Sequence, residues 1–438
     1  MLSAAQNELV TRTGPGTGAG ELMRRYWQPA GLTEELAGAR PAKAVTLLGE
    51  ELVLFRDDRG RPGLIGRKCP HRGADLCVGR LEDGGLRCPF HGWLFDVNGK
   101  CLEQPAEPPG SNFHTKIRHT AYPCLERNGI IFAYMGPGEP PALPDFDCFV
   151  APDAFTFAFK GFMECNWLQA LEVGIDPAHA SFLHRFFEDE DPEDGYGQQF
   201  RDQSADSAIP VTRVLRDFPC PKIEVAETDY GLRIIALRNL NERSTHVRVT
   251  NLAFPNAIVI PMSNDMVITQ WHVPIDDVRC WWYAIFSSFG ERVDKAAMRE
   301  QRLELYSLPD YVPRRNKANN YGYDPEEQQT LTYTGMGMDI NVHDNWAVES
   351  PGPIHDRTAE HLGASDRAIT AYRRMLLKAI KGLPDGDKPP LLIGDNDAKR
   401  LRGPVAVDTI GPADAWQQSW KDFDLNRRAK SDWAPDPW

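Results

Sequence analysis

Between residues 44 and 66 the chain breaks into three short apolar runs, AVTLLG, ELVLFR and PGLIG, separated by Gly-Glu and Asp-Asp-Arg-Gly. Short apolar runs bounded by turn residues predict strands. Residues 116–135 predict a hairpin, with Asn128-Gly129 as the two-residue turn before IIFAYM. Together these segments predict a small all-β unit of about 100 residues, closing near the Pro-rich stretch GPGEPPALPDF at 136–146.

The rest of the chain predicts an α+β unit. FTFAFKGFM has the pattern of a strand, and CNWLQALEVGI that of an apolar helix stopping at Asp176-Pro177. LRIIALRNL, HVRVTNLAF, AIVIPM, MVITQWHV and CWWYAIFSSF follow at hairpin spacing and predict an antiparallel sheet. Ala296–Ser307 and Asp366–Ile380 predict flanking helices, the second carrying Arg373, Arg374 and Lys378 near its end. The tail from Asp385 is rich in Pro, Asp and Trp and is expected to wrap a surface or a partner subunit. Gly14–Gly20 follows no strand, so it predicts a turn before a helix at Glu21–Trp27 rather than a dinucleotide loop.

Composition narrows the function classes. The 438 residues carry a net charge of −13, from 49 basic and 62 acidic side chains. An acidic balance argues against nucleic acid, whose phosphates call for clustered Lys and Arg. No apolar run approaches the roughly 20 residues of a membrane span. The segment MLSAAQNELVTRTGPG lacks the basic-then-apolar pattern of a signal peptide. Nine scattered cysteines then read as free thiols or metal ligands in a reducing cytoplasm.

Two tight Cys–His pairs change this picture. Cys69-Pro-His71 and Cys88-Pro-Phe-His91 are separated by sixteen residues. They offer two thiolates and two imidazoles, the donor set of a Rieske [2Fe–2S] centre, where two His replace two Cys on one iron. Structural zinc is the alternative, but zinc fingers place two Cys together and then two His. Mixed pairs suit two loop tips that each give one thiolate and one imidazole. Gly73, Gly92 and the prolines suit tight loops.

Asp176, His179 and His184 form a second constellation, Asp-x2-His-x4-His. Histidines five apart on one helix point about 140° away from each other, so a single helix cannot hold both toward one ion. Asp176 can cap a new helix with Pro177 at its first position and His179 in its first turn, leaving His184 past a bend. Two imidazoles and one carboxylate make the facial triad of non-heme Fe(II) oxygenases. The carboxylate must come from elsewhere. Asp344, in INVHDNWAVE, is the first candidate, and Asp356 in GPIHDR is the second, against a salt bridge with Arg357. Asp339 and Asp366 follow, and His343 reads as a supporting or structural residue.

With both constellations in place, the chain resembles the Rieske non-heme iron aromatic ring-hydroxylating oxygenases, in particular the oxygenase (alpha) component of the phthalate-dioxygenase type. RRYWQPA, CPHRGADL, CPFHGWLFD, NWLQALEVGIDPAHASFLH and GPIHDRTAEHLGASD carry the resemblance. It departs at Val173, where relatives often carry Gly, and at Pro177, where Ser is frequent. The resemblance implies an N-terminal segment (1–24) packing on the catalytic domain, a Rieske domain (25–145) and a catalytic domain with C-terminal tail (146–438). It implies that Cys69, His71, Cys88 and His91 hold the cluster. His179, His184 and Asp344 would hold a mononuclear Fe(II), with Glu349 following Asp344 at the family's spacing. Asp176 matches the aspartate that bridges a cluster His of one subunit to an iron-ligand His of the next, within a trimer or a hexamer of stacked trimers. The implied partners are a separate NADH-dependent reductase, O2 and a small aromatic acid. The implied reaction is O-demethylation of a lignin-type methoxy aromatic or ring cis-dihydroxylation of an aryl carboxylate. A carboxylate substrate needs a cation, and Arg201, Arg213, Arg216, Arg233, Arg238, Arg243 and Arg248 are the candidates. The reading from a different class is a non-catalytic Rieske electron carrier with a ligand-binding domain.

Overall fold

The computed structural model describes residues 1–39, 41–188, 211–435 and 437. Two short helices come first, α1 (Ala4–Thr11), capped by Ser3, and α2 (Gly18–Arg24), capped by Thr17. Strand β1 (Gln28–Leu32) then leads into β2 (Ala42–Leu47), β3 (Glu50–Arg56) and β4 (Pro62–Gly66). Four short strands follow: β5 (Arg80–Glu82), β6 (Gly85–Arg87), β7 (Leu94–Phe95) and β8 (Cys101–Glu103). β9 (Ala121–Tyr122), β10 (Cys124–Arg127) and β11 (Ile130–Ala133) close the unit. These strands form three small antiparallel sheets, β1-β11-β10, β2-β3-β4-β9 and β5-β6-β7-β8. The β10–β11 turn is Asn128-Gly129, both with positive φ, as the sequence predicts.

The larger unit is built on one twisted antiparallel sheet. Its strands are β12 (Thr156–Met163), β13 (Lys222–Thr228), β14 (Gly231–Asn239), β15 (Ser244–Ala253), β16 (Ala257–Pro261), β17 (Met266–Pro274) and β18 (Cys280–Ser288). The spatial order is β12-β18-β17-β16-β15-β14-β13. An eighth strand, β19 (Val407–Pro412), comes from the C-terminal tail. It pairs with Ser244–Val249 of β15, while β16 pairs with Asn251–Ala253 of the same strand. The tail therefore adds a strand to the sheet, because short β16 leaves half of the β15 edge free for another strand to pair, and its last helix (Trp416–Lys430) packs on the sheet through Trp420.

Four helices accompany the sheet, α3 (Trp167–Gly174), α4 (Lys295–Leu305), α5 (Ile340–Glu349) and α6 (Arg367–Gly382), of which α3 and α5 border the site. α3 is almost wholly buried and runs over the sheet. Gln169 ties α3 to α5: its amide donates to the carbonyls of Val348 (2.6 Å) and Gly352 (2.8 Å). Glu172, also on α3, binds the guanidinium groups of Arg357 (2.9 Å) and Arg373 (2.5 Å). One continuous apolar core, including Leu22, Met23, Ile131, Trp167, Leu171 and Tyr372, joins α1, α2 and the β1-β11-β10 sheet to the large sheet and α6. No helix among the described residues is long and apolar enough to cross a membrane.

Candidate active site and its two metal-binding constellations

The two Cys–His pairs occupy loops of the same geometry. The Gly73 N–H donates to the Cys69 carbonyl (2.8 Å) and the Gly92 N–H to the Cys88 carbonyl (2.9 Å). The Cys69 and Cys88 N–H groups each donate at 2.8 Å, to Ala74 and Trp93 respectively. Both glycines sit at φ near +75° (73 and 75), the left-handed conformation that glycine adopts without strain. The loops bring the rings of His71 and His91 to 4.4 Å, and His71 stacks on Trp93 at 4.4 Å and 6°. The buried Nδ1 atoms of both histidines have no hydrogen-bond partner among the described residues. Cys69 and Cys88 are buried, and burial with the neighbouring Cys88 pushes the Cys69 thiol up to about 11. Two crowded sulfurs and two orphaned imidazole nitrogens at one tip fit a Rieske cluster, whose irons take up both sulfurs as thiolates.

The second constellation forms where α3 ends. The Asp176 carboxylate accepts the Ala178 N–H (2.8 Å), but Pro177 starts no α-helix. His179–Ser181 is a single 3₁₀ turn. Arg238 pins this loop, donating to the Pro177 carbonyl (3.0 Å) and the Ser181 hydroxyl (3.3 Å). His179 Nδ1 is hydrogen-bonded to the main-chain carbonyl of Asp176, not to its carboxylate. That contact turns Nε2 toward His184, whose Nε2 lies 3.2 Å away. Asp344, in the middle of α5, places Oδ1 at 3.2 Å from His184 Nε2 and 3.8 Å from His179 Nε2.

The ligand atoms of His179, His184 and Asp344 all lie within 4.8 Å of one another. Burial holds His179 below its ordinary range and pushes His184 down to about 3, so both imidazoles are neutral and able to ligate. Burial also pushes Asp344 up to about 6, against the opposing pull of His179 and His343, and its Oδ1 has no hydrogen-bond partner among the described residues. A half-buried carboxylate facing two neutral imidazoles is the arrangement a divalent cation resolves. His343 supports the set: its Nδ1 is 3.4 Å from His184 Nδ1 and its Nε2 is 2.8 Å from the Gly337 carbonyl.

The other carboxylates do not reach this site. Asp356 is exposed and accepts from Thr358. The alternative reading of Asp356, a salt bridge with Arg357, is not formed either, because the fully buried Arg357 is taken by Glu172. Asp339 caps α5 and binds Arg302 (3.1 Å), and Asp366 accepts the Gly363 N–H.

A cavity opens beside the triad, floored by the sheet face that carries Arg248, Thr250, Ile268, Gln270, His272 and Trp282. Among the described residues lining it, Arg248 is the one Lys or Arg. Arg248 is ion-paired with Asp408 of β19 and its charge bears on His184. The remaining candidates lie elsewhere: Arg238 holds the iron loop, Arg216 binds Asp217, Arg213 faces Asp217 at the surface, Arg233 lies over Trp420, and Arg243 sits in a turn. Arg201 lies outside the described residues. Sequence reasoning missed Gln270, His272 and Asp408. The signal for the first two was present, since polar residues two apart in MVITQWHVP fall on one face of a strand.

Fold and site together define a Rieske-type oxygenase. The Rieske [2Fe-2S] domain family matches residues 26–123, and the family described as LigXa C-terminal domain like matches residues 133–429. The phthalate 4,5-dioxygenase oxygenase subunit of Pseudomonas putida is 36% identical over 409 residues, covering 88% of each chain. The 5,5'-dehydrodivanillate O-demethylase oxygenase subunit of a Sphingobium species is 33% identical, over 90% of this chain and 84% of its own. The fold is shared with NdmA of Pseudomonas putida CBB5, solved as a mutant with theobromine, at a TM-score of 0.56 and 19% identity. The match covers 86% of this chain and 97% of that one. The chain belongs to the Rieske non-heme iron aromatic ring-hydroxylating oxygenases, as an oxygenase component of the phthalate-dioxygenase type. It has a Rieske cluster and a mononuclear iron as cofactors, and the electron-carrier reading falls.

Proposed function

We propose that this oxygenase oxidises a small aromatic acid, and that the reaction is O-demethylation of a lignin-derived methoxy aromatic. Cys69, His71, Cys88 and His91 hold the cluster, and His179, His184 and Asp344 hold the iron. When bound, these groups supply one-electron transfer and O2 activation. The protein's own residues do the rest. The Asp176 carbonyl and His343 orient the two imidazoles, which fixes the donor nitrogens toward one point. Arg248 binds the substrate carboxylate and sets the ring over the triad. The apolar lining excludes water around the ring.

The observation that carries the reading is the convergence of His179, His184 and Asp344 on a cavity whose cationic side chain is Arg248. The methoxy reading is supported by similarity to the dehydrodivanillate O-demethylase subunit. Ring cis-dihydroxylation of a phthalate-like acid, supported by similarity to the phthalate 4,5-dioxygenase subunit, is the second reading. Asp176 lines both this cavity and an outer groove with Phe182, Pro219 and Arg367. This supports a bridging role, in which Asp176 meets a cluster histidine of a neighbouring subunit in a homotrimer or stacked hexamer. A separate NADH-dependent reductase feeds the cluster in the cytoplasm.

The test is a panel of aromatic acids with reductase, NADH and O2, scored for formaldehyde. One formaldehyde per methoxy acid consumed selects O-demethylation. A diol without formaldehyde rejects it in favour of dihydroxylation.

A further inference from the structure

The cavity has a second polar feature besides Arg248. His272, on β17, lies on the cavity wall and is only 2% exposed, yet neither of its ring nitrogens has a hydrogen-bond partner among the described residues. Its backbone is fully engaged, the N–H donating to the Asn256 carbonyl (3.0 Å) and the carbonyl accepting from the Asn256 amide (2.9 Å). The strand is thus fixed while the ring is left unsatisfied. Burial pushes its pKa down to about 3, so the imidazole is neutral. Buried polar atoms are nearly always paired, and an exception on a cavity wall marks a place where a ligand supplies the missing partner.

Gln270 stands two residues earlier on the same face of β17 and lines the same cavity. Its Oε1 accepts the indole N–H of Trp282, which assigns the amide NH2 as the end available to donate. Trp282 is the cross-strand neighbour of His272, so the three side chains form one patch.

We infer that His272 and Gln270 form an uncharged hydrogen-bonding pole that recognises a neutral oxygen substituent, a phenol hydroxyl or an aryl ether, on an acid held at its other end by Arg248. The inference deepens the aromatic-acid reading and rests on it. A neutral imidazole offers one donor and one acceptor, and the amide offers a donor, which matches a hydroxyl beside an ether oxygen. Neither supplies the charge that a second buried carboxylate requires. Arg248 is itself already paired with Asp408. The pocket therefore selects a hydroxylated or alkoxylated monocarboxylate over a dicarboxylate.

The experiment is calorimetric binding to the holoenzyme without O2, using benzoate, 4-hydroxy-3-methoxybenzoate and phthalate. His272→Leu is expected to weaken 4-hydroxy-3-methoxybenzoate about tenfold and benzoate less than about twofold, while His272→Asn retains most of the affinity. Thermal stability of His272→Leu is expected not to fall, because the ring has no partner among the described residues to lose. Equal losses for benzoate and the oxygenated acid overturn the inference, as does wild-type binding of phthalate more tightly than of 4-hydroxy-3-methoxybenzoate. Arg248→Met separates the two levels. If it leaves benzoate binding unchanged, the aromatic-acid reading fails. If it weakens every acid while His272→Leu does not discriminate, only the neutral pole fails.

Discussion

Arg248 and Asp408 face each other in register across β15 and β19 and are joined by an ion pair. The other Asp408 oxygen is 2.8 Å from His246 Nε2. The pair is largely enclosed, with 15% and 11% of the two side chains exposed. The cation of the cavity beside the triad is thus held by a strand that arrives more than 150 residues later in the chain. Burial alone would raise the Asp408 carboxyl, but the Arg248 charge and the His246 contact hold it below its ordinary range.

Arg248→Met is expected to raise KM for an aromatic acid by one to two orders of magnitude, with a smaller change in kcat. A hydrogen-bonded charge contact contributes about 1.5–3 kcal/mol. Steady-state kinetics of an acid and its methyl ester check this, since the ester should lose little. Asp408→Asn should show the same sign through a different cause, because Arg248 loses the partner that orients it. A variant with unchanged KM for the acid would remove Arg248 from substrate binding.

The two metal constellations should separate by mutation. Wild-type protein is expected to hold about three irons per chain, two in the cluster and one mononuclear. His184→Ala or Asp344→Asn should lower the count to about two while leaving the cluster's visible absorption intact. Turnover should be lost with the third iron. Loss of the cluster spectrum instead would mean that these residues support the wrong site.

How much of this was legible in the sequence follows from separation along the chain. The three strands at 44–66, the Asn128-Gly129 turn and the loops at Cys69 and Cys88 depend on neighbouring residues and follow their local patterns, whereas the short strands β5–β8 carried no pattern long enough to predict them. His179 and His184 were visible as a pair, but not their geometry. The single 3₁₀ turn and the Asp176 carbonyl contact are set by Arg238 from β14, which no local pattern reveals. The partner of Arg357 was hidden for the same reason. Asp356 is adjacent in sequence, yet Glu172 is adjacent in space. β19 escaped because a strand that completes a sheet from the tail carries no hairpin signal, and with it went Asp408.

Asp176→Asn should leave both metal sites filled and still slow the enzyme. The residue touches His179 through its main-chain carbonyl, which the substitution preserves. Asp176 also lines the outer groove, where a neighbouring cluster histidine is proposed to dock. Groups that orient ligands from outside the coordination sphere typically contribute about 10–100-fold to activity. Single-turnover oxidation of the reduced cluster by O2 with bound substrate should slow by that factor, at unchanged iron content and oligomeric mass. A rate equal to wild type would reject the bridge.

The Glu172 network should make stability fall in acid in a way one substitution exposes. Glu172 is buried between Arg357 and Arg373, and Arg373 also binds Glu360. Burial raises a carboxyl, but here the two guanidinium groups outweigh it and hold Glu172 below its ordinary 4.5. A carboxyl depressed in the folded state stabilises the fold above its unfolded pKa, and the contribution disappears as pH falls through the folded value. At pH 7, Glu172→Gln should cost about 3–5 kcal/mol, because it leaves two buried guanidinium groups without their shared anion. The gap in apparent Tm between wild type and variant should narrow steadily as pH drops below about 4.5. Thermal scans of the two proteins from pH 7 into that range are the check. A constant gap would place the loss in packing of α3 rather than in its charge.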